Sequence, residues 1–563
     1  MSTRRRTSIQ RFGFVALLLA ASLLLTACFG GGSKEQSNVQ SSAPAPASQP
    51  TAGGTTNQAP AERSVVTMAM TSAWQGLQPY NVVGLYSTVI FDQIYDRLTY
   101  LTADMEYKPR LATHWEMADD FRSITFYLDE NAKWHDGVPV TADDVVFTIE
   151  VMTNPETKAT NRGAFLYIAG TNAAGIAEDG AALGVERVDS HTVRIAFKEP
   201  MEEGAFLNGF ARAFFVFPKH LLGDVPPAEL DRDPFWRQPV GSGPFKFSRL
   251  VEGQFVELVR NEDYHLGSPS FETLVIRVVP QTTIAAGLQT GDIDVLVGFG
   301  MGDVPLEDWE MVKNMSHIEA ESVTSLTTQF MTVNTEKPYL SDPAVRRALW
   351  LATNRQALVD NLYRGEGTVA RGPYPAMHPY FAPDLPEIPY DPDAARALLE
   401  QAGWDFDREL VLTVPTGNAL RERTGALIQQ DLRRIGLKVQ IQQLDFTTAL
   451  TRIREGDYDL ALFGAGGAPD PDLTGLMHPS GANNLSRHRI PEIVNAIEEG
   501  LRGLTFDERK VHYYELQEKI QEHAPYVYLY HENSRLARNK RLTNVPIGDF
   551  MWHNFGTWQW VVQ

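Results

Sequence analysis

Residues 410–463 read LVLTVPTGNALRERTGALIQQDLRRIGLKVQIQQLDFTTALTRIREGDYDLALF, and the apolar spacing along them switches repeatedly between two periods. Leu410 to Val414 is strand-like, Leu420 to Ile435 follows the helical period and stops at Gly436, and Lys438 to Leu444 returns to a strand. Thr447 to Arg454 then reads as a helix and Tyr458 to Phe463 as a strand. This order predicts parallel strands covered by helices, because a parallel connection has to cross the sheet. A second unit lies upstream: a strand over Thr273 to Pro280, a short helix over Thr282 to Thr290 stopped at Gly291, and a strand over Ile293 to Val297. Two separated sets of such units predict an α/β fold with two lobes.

Helix starts are well signed. Thr141-Ala-Asp-Asp144 is a capping box with Val140 and Val145 placed as a hydrophobic staple, and Asp342-Pro343 and Asp391-Pro392 put a capping carboxylate before a proline. The helix after Asp391 is expected to end near Gly403. Capping accounts for these acids without any chemistry.

The start of the chain carries a different signal. Arg4, Arg5, Arg6 and Arg11 flank an uncharged run from Phe12 to Leu25, too short for a comfortable membrane span, and small residues precede Cys28. Residues 1–27 are therefore expected to be an export signal that is cut away. Residues 29 to 63 are rich in Gly, Ser, Ala, Pro, Gln and Thr, a composition that cannot bury enough apolar surface to offset ordering entropy and predicts a tether. Cys28 is the only cysteine among 563 residues, so no disulfide can form within the chain. The net charge of −20, with no basic run after the signal, argues against nucleic acid as a partner. The chain's length implies more than one domain.

Leu25-Thr26-Ala27-Cys28 resembles the bacterial lipobox, which implies lipidation of Cys28 and a body held at the outer face of a membrane. A longer series of motifs resembles the family 5 extracellular solute-binding proteins, the peptide, oligopeptide and nickel receptors of bacterial ABC importers. The series runs in order through Pro109-Arg-Leu-Ala-Thr-His-Trp115, Lys133-Trp-His-Asp-Gly137, Pro139 to Phe147, Pro239-Val-Gly-Ser-Gly-Pro-Phe245 and Asn261-Glu-Asp-Tyr264. It continues through Gly291-Asp-Ile-Asp294, Asn334-Thr335, Asp342 to Ala348, Tyr390-Asp-Pro, Leu398 to Trp404, Asp431 to Gly436 and Asp470-Pro471. The resemblance implies a two-lobed periplasmic-binding-protein-like α/β fold (type II, cluster C). Lobe I would combine residues 64–325 with 525–563 and carry an extra subdomain at about 106–236, and lobe II would be 326–524. The chain would cross between lobes near Ser325 to Asn334 and near Ala524 to His531, as a hinge requires.

Enzymatic signatures are missing: there is no His-Glu-x-x-His, no Gly-x-Ser-x-Gly and no phosphate-binding Gly-x-x-x-x-Gly-Lys-Ser/Thr. His114 and His135 fall in the family's structural motifs and read as packed or surface residues, leaving no metal site and no cofactor to expect. A secreted hydrolase using Asp470 or another carboxylate remains the alternative from another class, and a signalling receptor of the same fold a third. For a binding protein the resemblance places the strand end Phe463-Gly464-Ala465-Gly466-Gly467 at the cleft, where small residues let a ligand backbone approach. It also suggests Trp74, Asn484 and Tyr528 as walls, although core packing or a turn would explain each equally well. Peptide-binding relatives often carry an aspartate three residues before the Asp-Pro pair, to hold an α-amine. Here that residue is Gly467, so either Asp470 serves instead or the solute is a blocked peptide, an opine-like compound, an oligosaccharide or a nickel chelate. The expectation is a monomeric, lipid-anchored, extracytoplasmic receptor that delivers a peptide-like solute to permease subunits backed by a cytoplasmic ATPase.

Overall fold

A computed structural model describes residues 64–546 and 556–563, apart from 83, 103 and 161, and leaves aside the side chains of 211–213. The expected signal segment, Cys28 and the tether lie outside the described residues. The largest sheet has eleven strands, numbered here along the chain. β1 (Val65–Met70) leads into α1 (Leu85–Ile94), and α2 (Ala142–Thr153) and α3 (Glu203–Ala213) follow. Next come β2 (Phe245–Val251), β3 (Phe255–Arg260), β4 (Thr273–Val278), α4 (Ile284–Thr290), β5 (Val295–Leu296) and the long β6 (Ile318–Val333). After β6 the chain forms α5 (Pro343–Ala352), β7 (Gly367–Val369), α6 (Pro392–Gln401), β8 (Glu409–Pro415), α7 (Ala419–Arg434), β9 (Lys438–Leu444), α8 (Phe446–Glu455) and β10 (Leu460–Ala465). The helices α9 (Pro491–Arg502) and α10 (Phe506–His523) precede the second long strand, β11 (Tyr526–Asn539).

The sheet runs β9-β8-β10-β6-β11-β5-β1-β4-β3-β2, with β7 paired to β11. Both predicted β-α-β units are parallel. β8 pairs with β9 and with β10, while β4 and β5 flank β1, so the upstream unit steps over a strand contributed by the start of the domain. Gly291 ends α4 with φ +80°, and Gly436 follows α7 with φ +92°, the left-handed conformation a stop residue adopts. A separate four-stranded antiparallel sheet is built from Ala112–Met117, Ser123–Leu128, Val185–Arg187 and Thr192–Ala196. Two large apolar cores result. One draws on residues from Val66 to Met301 with Leu542, Val545 and Trp560, and the other on residues from Phe330 to Tyr530. These are lobe I and lobe II.

The helix caps form as the sequence predicts. The Asp144 carboxylate accepts from the Thr141 amide (2.8 Å) and also from the Lys219 amide (2.9 Å), so it ties two segments together. Asp342 caps α5 through the Ala344 amide (2.8 Å) and Asp391 caps α6 through the Ala394 amide (2.9 Å).

Four of the recurring motifs meet at the C-terminal end of α1. Gly243 donates to the Ile94 carbonyl (2.9 Å), and its own carbonyl accepts from His135 Nε2 (3.0 Å) and Asn261 Nδ2 (3.1 Å). The Gly241 amide donates to His135 Nδ1 (3.1 Å), so fixed backbone roles on both sides set a neutral tautomer. Burial lowers the His135 pKa to about 4. His114, by contrast, is exposed and stacks on Tyr127 with ring centroids 4.2 Å apart. Nearby, Asp96 accepts from Arg110 Nε (2.6 Å) and Tyr264 Oη (3.0 Å), and His265 bridges Asp96 and Asp129 at 3.2 Å each. Burial works against charge on His265, but the two carboxylates outweigh it and raise its pKa.

A Cβ on Gly241 would stand 1.8 Å from the Ile94 carbonyl oxygen, and that backbone atom cannot rotate away. Gly241→Ala is therefore expected to cost about 1–3 kcal/mol or more of stability, seen as a lowered thermal midpoint. An unchanged midpoint would show that the motif does not need this close approach.

Candidate functional site

Only β6 and β11 belong to both lobes among the described residues. From Ile318 to Thr324, β6 pairs with β11 from Asn533 to Asn539, and from Thr328 to Thr332 it pairs with Tyr526 to His531. Between these stretches residues 325–327 face a single residue, and a second irregularity follows between Gln329 and Phe330. The ladder is thus interrupted at the crossing, where a bulge permits local bending. Leu326 within the bulge packs with Leu101 and Met105 of lobe I, while its carbonyl accepts from the Gly467 amide of lobe II (3.0 Å).

Away from the crossing, a cavity of about 970 Å³ opens between the lobes. Lobe I supplies parts of residues 84–88, 163–167 and 198–209, and lobe II supplies residues from the loop 468–474 with Leu501 and Arg509. Leu85, Leu166, Met201, Phe206 and Leu501 make apolar walls. The polar rim holds Tyr167, Glu199, Glu202, Asp470 and Asp472. Lys198 lines the cavity too, but its ammonium is spent on the Leu166 and Asn172 carbonyls (2.6 and 3.0 Å). Two shielded polar atoms of the lining residues have no hydrogen-bond partner among the described residues: Asn208 Oδ1 from lobe I and Thr474 Oγ1 from lobe II. The loop itself is anchored by His378, whose Nε2 donates to the Ala468 carbonyl (2.9 Å) while Nδ1 accepts from the Tyr380 amide (3.1 Å).

Of the seven residues that the sequence reading placed at the cleft, Asp470 lines this cavity. Its Oδ2 accepts from Arg509 Nη1 (2.8 Å) and its Oδ1 from the Asp472 amide (3.0 Å), so its charge is already matched. Phe463 is 5% exposed and packs on Phe446, which is 49% exposed at the start of α8 and presents the more open ring. Ala465 is half-buried opposite Thr328. Gly467 is exposed but pressed against the bulge: a Cβ there would meet Leu326 Cβ and its carbonyl oxygen, each at 2.9 Å. The missing aspartate thus has a steric reason. Trp74 lies in the lobe I core and Tyr528 in the lobe II core, while Asn484 closes a turn by donating to the His488 carbonyl (3.0 Å). These three occupy the packing and turn roles that the sequence left open.

Glu202, Asn208, Thr474 and Arg509 escaped the sequence reading. Glu202 carried a signal of sorts as the cap of α3, but nothing local links it to Arg509, which lies 307 residues away.

The fold and cleft define a class, the two-lobed α/β solute receptors. The chain belongs to the bacterial extracellular solute-binding proteins, family 5, whose model matches residues 106–486, and these are the substrate receptors of bacterial ABC importers. It is 26% identical over 560 residues to the oligopeptide-binding protein AppA of Bacillus subtilis, covering 96% of each chain. The heme-binding protein A of Haemophilus influenzae is 27% identical over 539 residues, covering 91% of this chain and 93% of that one. The substrate-binding protein CtaP of Listeria monocytogenes shares the fold with a TM-score of 0.77 at 24% identity, over 89% of this chain and 99% of that one.

Burial holds three histidines neutral, lowering the pKa to about 4 for His378 and His488 and about 3 for His531. Their unfolded forms take up protons first on acidification, so the stabilisation present above about pH 6.5 is lost as pH falls toward 4. Unfolding free energies from denaturant titration are expected to drop over that window by an amount on the order of several kcal/mol, with midpoints falling accordingly. Constant midpoints from pH 7 to 4 would contradict this. Separately, Gly467→Asp is expected to lower the thermal midpoint through its collision with Leu326 and not to improve binding of free peptides. Improved binding would restore the anchor argument.

Proposed function

We propose that the protein is a monomeric, lipid-anchored, extracytoplasmic receptor that captures a peptide-like solute between its lobes and delivers it to the permease of an ABC importer. Lobe I would comprise 64–325 with 525–563, including a subdomain at about 106–236, and lobe II 326–524, with Tyr526–Tyr530 of the shared strand β11 packing into the second core. The observation that carries this reading is the cavity walled by both lobes; Asn208 and Thr474, one from each wall, each hold a side-chain oxygen with no hydrogen-bond partner among the described residues. Unsatisfied polar atoms in a shielded cleft are costly unless a guest or water supplies the missing bond. An extended peptide offers alternating N–H and C=O groups along its length, which suits partners on opposite walls, and the apolar surfaces take side chains without reading them closely. The resemblance to an oligopeptide-binding protein across almost the whole chain supports the same reading.

No bond is made or broken in this account. The solute shifts the lobes toward closure only through contacts that it makes with both of them. Protein purified from its host and analysed by native mass spectrometry is expected to retain a mass in the peptide range, unchanged after long incubation. A retained glycan or metal chelate, or conversion of the solute to product, would contradict it. Asn208→Ala and Thr474→Val are each expected to weaken binding of that peptide, resynthesised, by about tenfold. Two variants that both bind as tightly as wild type would place the solute elsewhere.

A further inference from the structure

Arg509 is held by carboxylates of both lobes. Its Nη1 donates to Asp470 Oδ2 (2.8 Å) within lobe II and to Glu202 Oε2 (2.9 Å) across the cleft. The Arg509, Asp470 and Glu202 side chains are 2%, 9% and 13% exposed, so salt screens the contact weakly. Both partners are fixed before they meet. Arg509 Nε donates to the Gly500 carbonyl (3.2 Å), and its guanidinium lies 5.6 and 5.5 Å from the ring centroids of Tyr380 and Tyr513. Glu202 accepts from the Gly204 and Ala205 amides (2.9 and 2.8 Å) at the start of α3. Little side-chain freedom remains to be lost when the contact forms.

The contact that Glu366 makes between the lobes is placed differently. Glu366 accepts from Trp309 Nε1 (2.6 Å) and from Ser322, a residue of the crossing strand β6, and so lies next to the hinge where opening moves atoms least. None of the triad lies on either crossing strand, so separation of the lobes must break the bond between Arg509 and Glu202.

We infer that Glu202, Arg509 and Asp470 form a latch that holds the lobes together before any solute is bound, with Arg509 acting as a positioning residue for closure. The inference rests on the closing motion proposed above. Its chemistry makes the latch reversible. When the lobes part, Asp470 still neutralises Arg509 and Glu202 returns to water, so opening leaves no buried unpaired charge and forfeits one charge-assisted hydrogen bond. A bond of that kind biases the closing equilibrium by roughly 10- to 100-fold, enough to favour closure and weak enough to let solute enter.

Small-angle scattering of the chain stripped of solute by unfolding and refolding, and checked by native mass spectrometry, tests this without any ligand. It therefore reads out even if the protein takes no peptide. Wild type is expected to match the profile of the structure described here. Glu202→Gln keeps an oxygen for the α3 cap and removes the charge, and is expected to increase the radius of gyration and maximum dimension with unchanged circular dichroism. Asp470→Asn is expected to stay compact, because Arg509 then depends on Glu202 alone for a counter-charge. That opposite sign separates a latch from general loosening. A compact Glu202→Gln variant, expansion of both variants, or an already open wild type would each overturn the inference.

Discussion

Two long strands, β6 and β11, carry the whole connection of the large sheet between lobes, and their ladder fails at residues 325–327. A continuous ladder would make the sheet one stiff body. The bulge instead lies between two separate cores and confines the break in the ladder to a few residues. Leu326 links both sides of this point, its side chain packing into lobe I and its carbonyl bonding the Gly467 amide of lobe II. The cleft loop after β10, which carries Asp470 and Thr474, is thereby tied to the interrupted part of the ladder.

The recurring motifs around α1 build the scaffold. His135, Gly241, Gly243, Asn261 and Arg110 form a hydrogen-bonded knot around the end of α1, with glycines where backbones touch. That knot joins the four-stranded sheet to the rest of lobe I, and α3, which supplies Glu202 and Asn208 to the cleft wall, packs into the same core. The cleft wall is therefore positioned by residues that do not line the cavity.

Much of the fold was legible because its signals are local. Helix periods, stop glycines and capping carboxylates act over a few residues, and the β-α-β units, the caps at Thr141, Asp342 and Asp391, and the stops at Gly291 and Gly436 all follow from them. The site was far less legible. The triad brings together residues 202, 470 and 509, whose neighbours in sequence give no hint of the meeting. Gly467 shows the same limit from the other side: in sequence it is a missing carboxylate, whereas in space it is the only residue type that clears Leu326 without a shift. Trp74 and Tyr528 were suggested by resemblance, and burial alone decided their place in the two cores.

The most direct measurement is a crystal structure of the protein purified from its host with its solute retained. The account predicts density for an extended guest in the 970 Å³ cleft, bonded to lobe I near Asn208 and to lobe II near Thr474. Density confined to one lobe, for example in the separate cavity of about 530 Å³ lined by Arg355, Arg371 and His531, would contradict it.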